Sequence, residues 1–165
     1  MSIIDTFLLK GKITWVTGAS YGIGFAIAQA LHEAGATVVF NDISEEHVNK
    51  GLEVYKAAGI PVRGYVCDVT DEDAVNATAA KIEQEIDVVD ILVNNAGIIK
   101  RIPMVEMSAA EFRQVIDVDL NAPFIVAKAV IPSMLKKGAG KIINVCSVNS
   151  ELARPGISAW PACLP

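Results

Sequence analysis

The sequence is short of thiol and imidazole ligands for metal ions. Its 165 residues include three cysteines, Cys67, Cys146 and Cys163, and two histidines, His32 and His47. No CxxC pair and no His-bearing ligand spacing connects them, so no metal site is expected. An odd set of thiols without a disulfide framework reads as reduced cysteine in a cytoplasmic protein. Long apolar runs are missing too. None approaches the ~18 residues of a membrane span, and MSIIDTFLLKGK carries no basic segment followed by an apolar one, so neither insertion nor secretion is expected. Positive charge is not in excess either: 14 Lys and Arg stand against 19 Asp and Glu, a formal charge of -5. The basic residues are scattered, which argues against a nucleic-acid partner.

What the chain does have is 52% hydrophobic residues, enough for the core of one compact domain across residues 1–165. Short β-branched runs alternate with amphipathic stretches. KITWVTG (Lys12 to Gly18) reads as a strand ending in a glycine turn, and Ile23, Ala26, Ile27, Ala30 and Leu31 recur at helical spacing up to Gly35. ATVVFND (Ala36 to Asp42) is a second strand, followed by a helix opened by Ser44 and closed near Gly59. PVRGYVCD (Pro61 to Asp68) is a third, and Thr70 is read as the cap of a helix from about Asp71 to Glu85.

VDILVNNAG (Val89 to Gly97) is a continuous apolar run of the kind a strand covered on both faces requires. A helical pattern then runs from Ser108 to about Lys137, before a fifth strand in GKIINVCS (Gly140 to Ser147). Alternation of this type predicts an α/β fold, a Rossmann-type doubly wound parallel sheet with five strands in the order 3-2-1-4-5.

TGASYGIG places Gly18, Gly22 and Gly24 between the first strand and the first helix. Glycines there let the backbone approach a pyrophosphate, and the helix N-terminus stabilises its charge. Ser20, Tyr21 and Ile23 belong to the same loop. Asp42 closes the second strand, 18 residues beyond Gly24. One reading has its carboxylate accept hydrogen bonds from adenosine ribose hydroxyls and repel a 2'-phosphate, favouring NAD, with NADP still possible; the other makes it a loop carboxylate or helix cap. Neither Tyr21 nor Ile43 offers a cation to a phosphate.

The spacing GxxxGxG, with Asp68 in CDVTD, NNAG at Asn94 to Gly97 and NVCS ending at Ser147, resembles the classical short-chain dehydrogenase/reductase family from about Lys12 to Ala159. Within it, VFNDIS, GYVCDVTDED, DILVNNAGI and VIDVDLNAPFIVAKAVIPSM are similar to bacterial gluconate 5-dehydrogenases, which interconvert gluconate and 5-ketogluconate; 3-oxoacyl and polyol reductases share much of the scaffold. The resemblance implies an NAD(P)-dependent oxidoreductase of a small sugar acid or related carbonyl compound, commonly a homo-oligomer. It also implies that Asp68 and Val69 face the adenine and that Asn95, Ala96 and Gly97 line the cofactor.

The same resemblance makes Ser147 the serine that hydrogen-bonds the substrate oxygen, although a serine after a strand also serves as a turn residue. The family's tyrosine belongs thirteen residues later, where this chain has Trp160, and its lysine belongs at Leu164. Indole cannot act as a base, and Leu164 supplies no cation. Residues 160–165 therefore read as an atypical tail on a chain cut short after Ala159, catalytically deficient, with a fifth strand left as an open edge.

Asp119 occupies the position of a family asparagine whose carbonyl helps hold a relay water. Pro123, four residues on, leaves that carbonyl without its helical donor or simply starts a new helical segment. Lys100 and Arg101 are read either as partners of a sugar-acid carboxylate or as solvated surface charge.

Overall fold

Short β-branched segments become strands, and the amphipathic stretches between them become the crossovers that parallel pairing demands. The structure, a computed structural model, describes residues 6–147. In chain order it runs β1 (Ile13–Thr17), α1 (Gly22–Glu33), β2 (Thr37–Asp42), α2 (Glu45–Ala57), β3 (Val62–Val66), α3 (Glu72–Glu85), β4 (Ile91–Asn94), α4 (Ala109–Ile116), a π-helical segment (Asp117–Asn121), α5 (Ala122–Lys137) and β5 (Lys141–Asn144). The strands form one parallel sheet in the expected order, β3-β2-β1-β4-β5. Strand order reverses between β1 and β4, and register keeps Thr17 level with Asn41 and Asn94 level with Asn144. Crevices for ligands open at the carboxyl ends of such strands.

Successive residues of the central strands face opposite sides, and both sides are covered. Trp15, Val39 and Leu92 pack with Val75, Ile82, Val126 and Val130 from α3 and α5. Val16, Val38, Phe40 and Val93 pack with Ala28, Val48 and Tyr55 from α1 and α2. That double burial is why these strands read as unbroken apolar runs. At the amino end of the sheet, buried Asp90 accepts from the Ile13 backbone N–H at 3.0 Å and pairs with Lys12 at 3.2 Å and Lys137 at 2.9 Å. Burial alone would raise its pKa, but these donors outweigh it and hold the carboxyl below its ordinary value.

Two local expectations need correction. Thr70 is not the cap of α3: Asp71 is, accepting from the N–H groups of Asp73 and Ala74, while Thr70 donates through both its N–H and its hydroxyl to Asp68 Oδ1. Nor is Ser108 to Lys137 one regular helix. Ser108 caps α4 in a reciprocal box with Glu111, but the chain then widens into the π segment, where the Ala122 N–H reaches back to the Asp117 carbonyl. Pro123, at the start of α5, has no N–H with which to continue the ordinary ladder to residue 119. Among the described residues β5 pairs with β4 alone, and Ile142 and Ile143 are 38% and 48% exposed.

Hydrogen bonds tie the three strands β1, β2 and β3 together inside the core. The Trp15 indole N–H donates to Asn41 Oδ1 at 2.9 Å, and Asn41 Nδ2 donates to the Cys67 carbonyl at 3.0 Å. Replacing Asn41 with Leu strands a buried indole N–H and a carbonyl together, at a cost of about 2–4 kcal/mol. Urea denaturation of Asn41→Leu is expected to show this as a lower midpoint.

Candidate functional site

The glycine turn is shaped by close approach. Gly18 and Gly22 adopt φ of 61° and 63°, which favours glycine. A Cβ on Gly18 would lie 2.8 Å from Ala96 Cα, and one on Gly24 would lie 2.5 Å from Asn95 Nδ2 and 2.7 Å from the Gly18 carbonyl. Tyr21 stands at the N-cap of α1 without a side-chain cap bond, and the first turn carries no acidic residue. Helices α2, α3 and α4 are capped by Ser44, Asp71 and Ser108. The first N–H groups of α1 are thus left for an outside acceptor, and a helix N-terminus favours an anion.

Those glycines open onto a cavity of about 380 Å³ lined by Gly18, Tyr21, Gly22, Ile23 and Gly24 on one side and by Asp42, Asp68 and Val69 on the other. The residues expected at the adenosine end, Asp42, Asp68 and Val69, therefore line one cavity with the glycine turn. Ser20 is the exception, since it does not line the cavity. It lies buried against Gly51, where a Cβ would come within 2.9 Å of Ser20 Cα, because the turn directs residues 19 and 20 toward α2. Sequence reasoning missed His47. Capped by Ser44, the first turn of α2 brings its imidazole Nδ1 to 3.2 Å from Asp42 Oδ1 and into the cavity wall. Its spacing of five residues from Asp42, one turn after a cap, was the available signal.

A second cavity, about 580 Å³, adjoins the first and shares Ile23, Asn95, Ala96, Gly97 and Ile98 with it. Both volumes lie in the range of small-molecule sites. Ser147, Asp119, Asn94 and Asn144 supply its polar groups, against an apolar wall that includes Leu120, Phe124 and Ile142. Asn95 acts less as a lining donor than as a brace: its Nδ2 donates to the Thr17 and Gly18 carbonyls at 2.9 and 3.0 Å. Lys100 and Arg101 line neither cavity, so they remain surface charge. Trp160 and Leu164 lie outside the described residues.

Asp119 is the unusual group here. Placed by the π segment, it is 8% exposed, and its Oδ1 accepts from the Ile98 N–H at 2.8 Å, while its buried Oδ2 has no partner among the described residues. Burial pushes its pKa up to about 6, only partly offset by the Ile98 N–H.

The sequence profile of the short chain dehydrogenase family matches residues 12–163. The chain belongs to that family. Short-chain dehydrogenases are oxidoreductases of small molecules that use NAD(P). A 2-dehydro-3-deoxy-D-gluconate 5-dehydrogenase of Formosa agariphila is 47% identical over 96% of this chain. A crystal structure of 2-keto-3-deoxy-D-gluconate dehydrogenase from Streptococcus agalactiae is 63% identical over 98% of it, with a TM-score of 0.83. A gluconate 5-dehydrogenase from Burkholderia cenocepacia, in complex with NADP and tartrate, superposes with a TM-score of 0.90 at 39% identity over 98% of the chain. This short-chain dehydrogenase chain spans 61%, 60% and 64% of the lengths of those three proteins. Among its described residues, no helix is long and apolar enough to cross a membrane.

The Asp119 environment has a measurable consequence. Its folded pKa of about 6 lies above the ordinary 3.8, so the folded state holds the proton more tightly than the unfolded chain. Stability is therefore penalised above the folded value and recovers as pH falls from about 7 toward 4, by about 2–3 kcal/mol. The stability difference between the wild type and Asp119→Asn, followed by denaturation across that range, is expected to shift toward the wild type by that amount on acidification.

Proposed function

We propose that this chain is the dinucleotide-binding domain of an NAD(P)-dependent sugar-acid dehydrogenase and that, with Trp160 and Leu164 at the acid–base positions, it binds the dinucleotide without efficient turnover. The observation that carries the reading is the pair of adjoining cavities. One is built on an uncapped helix N-terminus and Asp42, the other on Ser147 and Asp119, and Asn95 to Ile98 form the wall between them. The residues fit the cofactor. Nothing within 4 Å would crowd the Gly22 turn, and no described residue hydrogen-bonds Asp42 Oδ2.

The N–H groups of α1 at Gly22, Ile23 and Gly24 would hold the pyrophosphate. Asp42 Oδ2 would accept a ribose hydroxyl and disfavour a 2'-phosphate, which favours NAD over NADP, while Asp68 and Val69 would hold the adenine. The bound dinucleotide supplies the hydride acceptor. Ser147 Oγ would hydrogen-bond the reacting oxygen of the substrate, with Asp119 and its carbonyl as the polar relay in the same cavity. Proton transfer is the weak point. Trp160 offers an N–H that cannot be lost at accessible pH, and Leu164 offers no charge to lower a neighbour's pKa. Missing acid–base assistance of this kind costs ~10²–10⁴-fold in rate.

The substrate class rests on the names of the relatives: a gluconate-type acid oxidised at a secondary alcohol, with gluconate and 5-ketogluconate as the pair. Free thiols at Cys67 and Cys146 suit a cytoplasmic setting. A second reading, a non-catalytic nucleotide sensor, uses the same first cavity and differs in having no chemical step after the dinucleotide binds.

Differential scanning fluorimetry with NAD tests the binding half of the proposal. At a hundredfold excess over Kd the ligand should stabilise by about 2.7 kcal/mol, seen as a higher Tm, and no shift with millimolar NAD or NADP would refute it. NADH formation from gluconate is expected to be no faster than in Ser147→Ala; a clearly faster rate would overturn the deficiency.

A further inference from the structure

Asp42 is not a bare carboxylate. Its Oδ1 accepts the Ile43 backbone N–H at 2.9 Å and also meets His47 Nδ1 at 3.2 Å, whereas Oδ2 carries no hydrogen bond from any described residue. A carboxylate can only accept, so the imidazole nitrogen facing it carries a proton in both charge states of the ring. With His47 neutral, the two donors fix the carboxylate plane and leave Oδ2, still part of an anion, as the acceptor for a ribose hydroxyl. With His47 protonated, the Asp42–His47 pair is neutral overall, and the imidazolium lies at the rim of the cavity, 45% exposed.

We propose that His47 sets the choice between the two nicotinamide dinucleotides, holding Asp42 for a ribose diol when neutral and offsetting Asp42's repulsion of a 2'-phosphate when charged. His47 is a positioning residue in the first state and a direct charge partner in the second. The inference rests on the dinucleotide reading of this cavity and deepens it. Histidine is the side chain whose ordinary pKa permits such a change near neutrality.

The groups around the ring leave this role to it. Asp42 faces it from the end of β2, Asp68 lines the same cavity from beyond β3, and the Tyr21 ring meets it edge-on from the glycine turn at 6.4 Å between centroids. On its own helix, Glu46 and Lys50 pair with each other at 2.6 Å, and Lys50 does not line the cavity. Among the residues lining this cavity, His47 is the one that can present positive charge to a phosphate.

The test is the ratio of NADP to NAD dissociation constants, measured by calorimetry on the 165-residue chain at pH 8 and pH 5.5. In the wild type, discrimination against NADP is expected to shrink on acidification by about three- to tenfold more than in His47→Gln, which keeps a donor for Asp42 but cannot become charged. The titration of the free phosphate is common to both proteins and cancels. His47→Leu, lacking the donor, should bind NAD several-fold more weakly than His47→Gln at pH 8. Equal pH dependence of the ratio in the wild type and His47→Gln overturns the inference while leaving the dinucleotide reading intact. If neither dinucleotide binds the wild type, both are overturned.

Discussion

The joint between β1 and β4 is the constraint on which the site depends. The Thr17 hydroxyl accepts the backbone N–H groups of both Asn95 and Ala96 at 3.0 Å and donates to the Val93 carbonyl at 3.5 Å. Asn95 returns its side-chain amide to the Thr17 and Gly18 carbonyls. These contacts join the exits of two parallel strands at the place where strand order reverses. Because Gly18 has no Cβ, Ala96 can sit against it, and because Gly24 has none, α1 can start beside Asn95. One small cluster thus fixes the glycine turn, aims the helix N-terminus and builds the partition between the two cavities.

Around that joint, polar groups divide into those spent on structure and those left over. Asn41, Asn95, Asp90 and the Tyr55 hydroxyl, which donates to the Ala19 carbonyl at 2.7 Å, all work inside the framework. Left over among the described residues are Oδ2 of Asp42, Oδ2 of Asp119, Oδ1 of Asn94 and the first N–H groups of α1, which belong to residues at the cavities, and the buried Ser20 Oγ, which does not. A fold that satisfies nearly every buried polar group makes the unsatisfied ones informative. Asp119 shows the cost of leaving one so: in an apolar wall its carboxyl is held back from ionising.

Much of this was legible in the chain. Apolar runs without alternation required a sheet covered on both faces, and the glycine spacing, followed by an acid at the end of the next strand, pointed to the edge of that sheet where the cavities open. The misreadings were local. Thr70 and Asp71 are adjacent candidates for one cap, and which of them turns its oxygen toward the helix depends on Asp68 capturing the Thr70 hydroxyl. The regular apolar spacing through Asp117–Asn121 hid a π segment, because one extra residue per turn changes the direction of a side chain with little mark on the pattern.

The sequence by itself determined the family, the order of elements, the anion-ready turn and the chemical identity of Trp160 and Leu164, since these depend on residue type and spacing along the chain. Only the tertiary structure decided that Ser20 faces inward, that Lys100 and Arg101 stay away from the cavities, that Asp119 is buried with one oxygen unpaired and that His47 stands beside Asp42. Burial, pairing and proximity across strands arise when segments distant in sequence are packed together, and no spacing rule within a single segment contains them.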